Sequence, residues 1–124
     1  MNAITQSLDD YIEAIYLQLA DVKAAQVRGV AKAVGVKMQS VVKAIRELKK
    51  LGLVTQEPYS PIELTEKGTR LAKHILSRHM LLRAFLEKLG VSRRNADADA
   101  CRMEHILSAE TLDKIREYTE KSRK

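Results

Sequence analysis

Cys101, Glu104 and His105 place a thiol, a carboxylate and an imidazole within five residues, in the stretch Asp99-Ala-Cys-Arg-Met-Glu-His105. Cys101 is the only cysteine of the chain, and His105 is one of three histidines. Together these donors are what a borderline divalent transition metal prefers. On a helix, Cys101 and His105 are i and i+4 and share a face, with Glu104 beside them. Three ligands from one turn do not close a coordination shell, so others must come from elsewhere in the chain. Asp10 and Glu13 offer two carboxylates at i, i+3 spacing near its start, and His79 offers an imidazole in its middle. Each of these has a plainer role as well. A lone helical cysteine is usually core packing, acids in a first turn favour the helix dipole, and a histidine on an apolar stripe is more often a satisfied core residue than a ligand.

The elements that must position these groups follow from periodicity and turn residues. Leu8, Ile12, Ile15 and Leu19 recur at helical spacing, with Ser7 as N-cap and Asp9 and Asp10 in the first turn. A second short helix spans residues 25–35 and ends on Gly35, which suits a left-handed C-cap. After a tight turn at Val36-Lys37, a third helix is predicted from Met38 to about Leu51, with Val41, Ile45 and Leu48 inward. Its outward positions read Lys37, Gln39, Ser40, Lys43, Arg46, Lys49 and Lys50, with Glu47 the one acid among them. Two short helices across a tight turn, the second basic outside, form a helix-turn-helix pattern. Residues 53–57 and 62–65 read as two short strands around Pro58-Tyr-Ser-Pro61, which makes a wing. A long helix then runs from Thr65-Glu-Lys-Gly68 to about Leu89, ended by Gly90, and places His79 on the Leu71, Ile75, Leu82, Leu86 stripe. Ser92 caps the helix expected to carry Cys101 through His105, and Ser108 caps a last amphipathic helix to about Tyr118.

Bulk properties agree with a nucleic-acid partner. Residues 1–21 hold four acids and no Lys or Arg, residues 22–80 hold twelve Lys and Arg against four acids, and residues 81–124 ten against eight. A basic middle with more acidic flanks points to a polyanion-binding module joined to something else. Aromatics at 4% with no Trp argue against stacking platforms for single strands. No run reaches the roughly 18 apolar residues of a membrane span, and one cysteine suits a reducing cytoplasm.

The combination Asp10-Tyr-Ile-Glu-Ala-Ile-Tyr16, Gln39-Ser-Val41, Gly52-Leu-Val54, Leu64-Thr-Glu-Lys-Gly68, Arg78-His79 and Asp99-Ala-Cys-Arg-Met-Glu-His105 resembles the diphtheria toxin repressor and manganese transport regulator family over nearly the whole chain. Leu64-Thr-Glu-Lys-Gly68 is shared with many winged helices, whereas the first, fifth and sixth motifs together are far more specific. The resemblance implies a mainly α chain, with a winged helix-turn-helix DNA-binding domain over 1–70 and a helical metal-binding and dimerisation domain over 71–124. It implies a metal-activated repressor, not an enzyme, that controls manganese or iron uptake genes and binds a palindromic double-stranded operator as a homodimer. Position by position, it assigns the metal to Asp10, Glu13, His79, Cys101, Glu104 and His105, the residues the donor chemistry had already singled out. DNA contacts are expected from Lys37, Gln39, Ser40, Lys43, Arg46 and Lys50.

The two branches of the family disagree within this chain. Asp10 and Glu13 look like the manganese branch, since iron-responsive members carry Met and a non-acid there. Cys101 looks like the iron branch, since manganese members often carry Glu at that position. Arg83 and Asp97 stand where the iron branch has the Glu and His of an ancillary site, and the chain stops short of the third, SH3-like domain of longer members. Mn2+ is therefore expected as activator, with Fe2+ next. The rivals are a metal-independent winged-helix regulator that uses Cys101 as a redox or ligand sensor, a Cys101–His105 hydrolase, and a structural zinc site. The hydrolase lacks an oxyanion-hole loop, and one sulfur among six candidate ligands disfavours structural zinc.

The charge pattern predicts that Lys43→Ala weakens operator binding and lowers the salt slope by about one if Lys43 meets phosphate alone. Unchanged affinity after joint neutralisation of Lys43, Arg46 and Lys50 would rule out this helix as the DNA-contacting surface.

Overall fold

The computed structural model describes residues 6–22, 24–58 and 60–121. Its elements are α1 (Gln6–Val22), α2 (Val27–Val34), α3 (Met38–Lys50), β1 (Val54–Thr55), β2 (Glu63–Leu64), α4 (Glu66–Lys88), α5 (Arg93–Met103) and α6 (Ala109–Lys121). The architecture is mainly α with a small antiparallel hairpin, as the sequence predicts. Two compact units, Met1–Lys73 and His74–Lys124, divide the chain within α4.

In the first unit the apolar stripes of three helices and the wing converge. Ile12, Ile15, Val30, Val41, Ile45, Leu48, Leu53 and Ile62 are all buried, each contributing about 1.5–3 kcal/mol relative to exposure. α1 begins at Gln6, so Ser7 lies inside the helix instead of capping it; the Ser7 side chain falls outside the described residues. α2 ends where expected, with Gly35 at φ 82° and its N–H donating to the Ala31 carbonyl. The strands are shorter than predicted, two residues each, in register Val54↔Leu64 and Thr55↔Glu63. A third bridge, which periodicity does not disclose, joins Ala25 to Ile62, whose N–H donates to the Ala25 carbonyl at 2.7 Å. It ties the wing back to the start of α2. Of the predicted turn, Tyr59 lies outside the described residues.

Leu64-Thr-Glu-Lys-Gly68 has a local physical reason. The Thr65 hydroxyl accepts from the Gly68 N–H at 3.0 Å and donates to the Gly52 carbonyl at 2.7 Å, so it caps α4 and also holds the loop after α3. Thr65 N–H donates to the Leu53 carbonyl at 3.0 Å, and Lys67 reaches the Leu51 carbonyl at 3.2 Å. Gly68 packs so closely on this loop that a Cβ there would collide with the Leu53 carbonyl oxygen.

In the second unit, Leu82 of α4, Ala100 of α5 and Leu112 of α6 form the core, with Leu81, Met103, Leu107 and Ile115 packed around it. Ser92 caps α5 by accepting from the Asn95 N–H at 3.3 Å, and Ser108 caps α6 by accepting from the Thr111 N–H at 3.1 Å. α5 ends sooner than predicted. Met103 is its last residue, and Glu104 and His105 sit in a closing turn tightened by His105 N–H to Arg102 carbonyl and Ile106 N–H to Met103 carbonyl bonds, at 3.3 and 3.1 Å.

Gly68→Ala should destabilise the winged unit by about 1–3 kcal/mol, the usual cost of overpacking, as a lowered midpoint of denaturant unfolding. A midpoint equal to that of the unmodified chain would contradict the close approach to Leu53.

Candidate metal centre and nucleic-acid interface

Within the second unit, Cys101, Glu104 and His105 bring a thiol sulfur, a carboxylate oxygen and a ring nitrogen to within 4.8 Å of one another. Cys101 is in the last turn of α5, and Glu104 and His105 follow directly in the closing turn, where Glu104 still has helical backbone angles. Glu104 is buried, with its side chain fully covered, and the His105 side chain is 4% exposed with Nε2 3.7 Å from Glu104 Oε1. Cys101 is half-buried and not in a disulfide.

His79 approaches from α4 and sets a ring nitrogen within 4.8 Å of a Glu104 carboxylate oxygen. Its two nitrogens differ sharply. Nε2 is 2.8 Å from Asp97 Oδ1 on α5, whereas Nδ1 is buried and has no hydrogen-bond partner among the described residues. A buried, unpartnered imidazole nitrogen costs free energy unless something accepts its lone pair, and a metal ion does so. Asp97 is in turn 3.6 Å from Arg83 Nη1. Its carboxyl is held below the ordinary carboxylate range, first by the hydrogen bond with His79, with the Arg83 charge adding and partial burial opposing. Sequence reasoning noted Arg83 and Asp97 only as departures from a family pattern. Their i, i+4 relation of His79 to Arg83 was the available clue that both share one face of α4.

Asp10 and Glu13, in the first unit, are carried one turn apart by α1, and both are half-buried. The buried acid on this helix is Asp9, 5% exposed, which the sequence placed in the first turn beside Asp10.

The other candidate surface lies on α3. Gln39, Ser40, Lys43, Arg46 and Lys50 are all exposed, as is Lys37 just before the helix. Lys50 is 3.8 Å from Glu47, an exposed i, i+3 pair. Met38 and Val42 are 46% and 45% exposed and line a shallow groove with Gln39, Lys43 and Arg46. Two apolar side chains beside polar and cationic ones suit a major groove, where thymine methyls alternate with hydrogen-bonding edges.

Residues 3–62 match the iron dependent repressor N-terminal DNA binding domain, and residues 65–124 match the iron dependent repressor metal binding and dimerisation domain. The chain belongs to this family. It is 38% identical over 120 residues to an uncharacterized HTH-type transcriptional regulator of Methanocaldococcus jannaschii, covering 95% of this chain and 96% of the relative. It is 39% identical over 111 residues to the HTH-type transcriptional regulator MntR of Lysinibacillus sphaericus, covering 90% of this chain and 80% of that one. Among solved structures, a manganese-dependent transcriptional repressor in complex with manganese superposes with a TM-score of 0.83 at 26% identity, over 90% of this chain and 52% of that one. The chain thus spans about half the length of that solved repressor. The protein is a metal-responsive, DNA-binding transcriptional repressor, of a family that binds divalent metals. Among the described residues no helix is long and apolar enough to cross a membrane.

His79→Ala should abolish metal-dependent operator binding while circular dichroism and sedimentation still report a folded chain of unchanged association state. A metal response with the unmodified midpoint would remove His79 from the ligand set.

Proposed function

We propose that Asp10, Glu13, His79, Cys101, Glu104 and His105 hold a divalent cation that activates the protein to repress manganese or iron uptake genes. One observation carries this reading. Three donors of the second unit, His79, Cys101 and His105, gather around the buried Glu104, and the His79 Nδ1 lone pair is left for an ion to take. The two α1 carboxylates complete the set, a role supported by their half-burial and by the family's domain of metal binding and dimerisation.

A bound cation supplies positive charge among Asp10, Glu13 and Glu104. Without it those carboxylates repel one another, and the DNA-binding and dimerisation domains move independently. Held together, α1 and the turn after α5 fix the spacing of two α3 helices in a homodimer near one or a few turns of DNA, roughly 34 Å per turn. A palindromic double-stranded operator matches that symmetry. The coupling is reciprocal, so operator DNA tightens metal binding by the factor that metal tightens DNA binding. Lys and Arg of α3 supply the affinity through phosphates, with Gln39, Ser40 and Lys43 at base edges. Dimerisation is supported by the apolar groove between α4 and α6, lined by Phe85, Leu89, Ile115 and Tyr118. Phe85 and Tyr118 meet edge-to-face at 6.0 Å, and Leu89 and Tyr118 remain 59% and 55% exposed in the single chain.

Hard oxygen and imidazole donors outnumber one thiolate, which favours Mn2+ with Fe2+ next, while Cys101 pulls towards iron, cobalt or zinc. A single sulfur is a poor bridge between two hard ions, so each subunit holds one tight site and a weaker second.

Operator binding measured in chelator, Mn2+, Fe2+ and Zn2+, together with metal stoichiometry, tests the whole reading; full affinity in chelator would leave Cys101 as a redox or ligand sensor. Cys101→Glu should shift the response towards Mn2+ and strengthen the second site. Two equally tight Mn2+ ions per subunit in the unmodified protein would overturn this role of Cys101.

A further inference from the structure

We infer that Asp97, anchored by Arg83, is a positioning residue for the metal centre: it fixes the His79 ring with its proton on Nε2 and so keeps Nδ1 as the donor. The inference rests on His79 being a ligand and adds what makes it one.

Three residues of the second unit carry the argument. His79 and Arg83 are one turn apart on α4, so both project from one face. Asp97 comes to that face from the first half of α5, and its Oδ1 lies 2.8 Å from His79 Nε2 and 3.6 Å from Arg83 Nη1. Ala96 and Ala100, flanking Asp97 on α5, are fully buried; side chains this small let a helix seat closely and leave it little freedom to shift. An ionised carboxylate only accepts hydrogen bonds, so the proton in the short contact belongs to His79 Nε2. In the neutral ring this leaves the lone pair on Nδ1, the nitrogen that is buried without a hydrogen-bond partner among the described residues.

Without Asp97, the neutral imidazole reverts to a mixture of tautomers and the ring can rotate. Part of the population would then present N–H to the ion, and binding would have to reverse that first. A carboxylate bonded to the far nitrogen also raises the basicity of the ligating one. The carboxylate is about half exposed, with a side-chain exposure of 55%, so by itself it would be free to swing into solvent; Arg83, 28% exposed, holds it to the α4 face. The cationic guanidinium also makes this spot unfit for a second metal ion. Arg83 and Asp97 therefore serve the tight site through His79, and a weaker second ion is not held between them.

The test uses the full chain and compares His79→Ala, Asp97→Ala and the near-isosteric Asp97→Asn by calorimetric titration with Mn2+. Long-range 1H–15N spectra of the metal-free protein read the His79 tautomer directly. The unmodified protein should show His79 as Nε2–H. Asp97→Ala should lose about 10–100-fold in Mn2+ affinity and show mixed tautomers. Asp97→Asn, whose amide oxygen still accepts from Nε2–H, should keep the tautomer and recover much of the affinity. If His79→Ala weakens Mn2+ binding while Asp97→Ala retains unmodified affinity and tautomer, the positioning role is wrong and the ligand reading survives. If His79→Ala leaves Mn2+ affinity unchanged, both fall.

Discussion

A carboxylate whose side chain is completely covered is the constraint on which the regulatory half of this protein depends. Taking an ionised carboxylate out of water costs several kcal/mol even after relaxation, and polar groups are gathered around the fully covered Glu104 side chain. His105 stands 3.7 Å away, and His79 and Cys101 offer further donor atoms within 4.8 Å of the same carboxylate. Such a site is stable when charge is balanced and strained when acids accumulate. A buried acid with imidazole and thiol donors this close has the charge and the ligand types that suit a divalent cation.

The turn that carries Glu104 is equally constrained. Cys101, Glu104 and His105 stand at i, i+3 and i+4, which gathers them on one face, and Glu104 keeps helical backbone angles with its N–H donating to the Ala100 carbonyl at 3.0 Å. Ile106, which follows, is left 75% exposed, an outward side chain that accompanies the inward placement of its neighbours. The end of α5 is thus part of the site, while Ala96 and Ala100 anchor the helix body that the turn extends.

The DNA-contacting unit solves a different problem, which is to hold a thirteen-residue helix rigidly with its polar face open. The loop from Leu51 to Leu53 is held from one side by Leu48 and from the other by Thr65 and Lys67, all through backbone carbonyls. Gly68 is required because the α4 backbone lies directly against that loop. One continuous helix, α4, therefore braces α3 with its first turn and carries His79 and Arg83 further along.

Most of the local order was legible in the sequence because it rests on short-range rules. Helical spacing, Gly35 and Gly90 at helix ends, Ser92 and Ser108 as caps, and the basic outward face of α3 all depend on neighbours within a few positions. Donor chemistry singled out Cys101, Glu104 and His105 and, beyond them, Asp10, Glu13 and His79, and the family pattern pointed to the same six. What tertiary structure decided involves residues distant in sequence. The Ala25–Ile62 bridge, the burial of Asp9 and the early end of α5 depend on what packs against each segment, which periodicity does not encode. The pairing of His79 with Asp97, eighteen residues apart, was invisible for the same reason. An aspartate and an arginine in a charged chain look like solvated surface until folding places one oxygen against an imidazole and a guanidinium together.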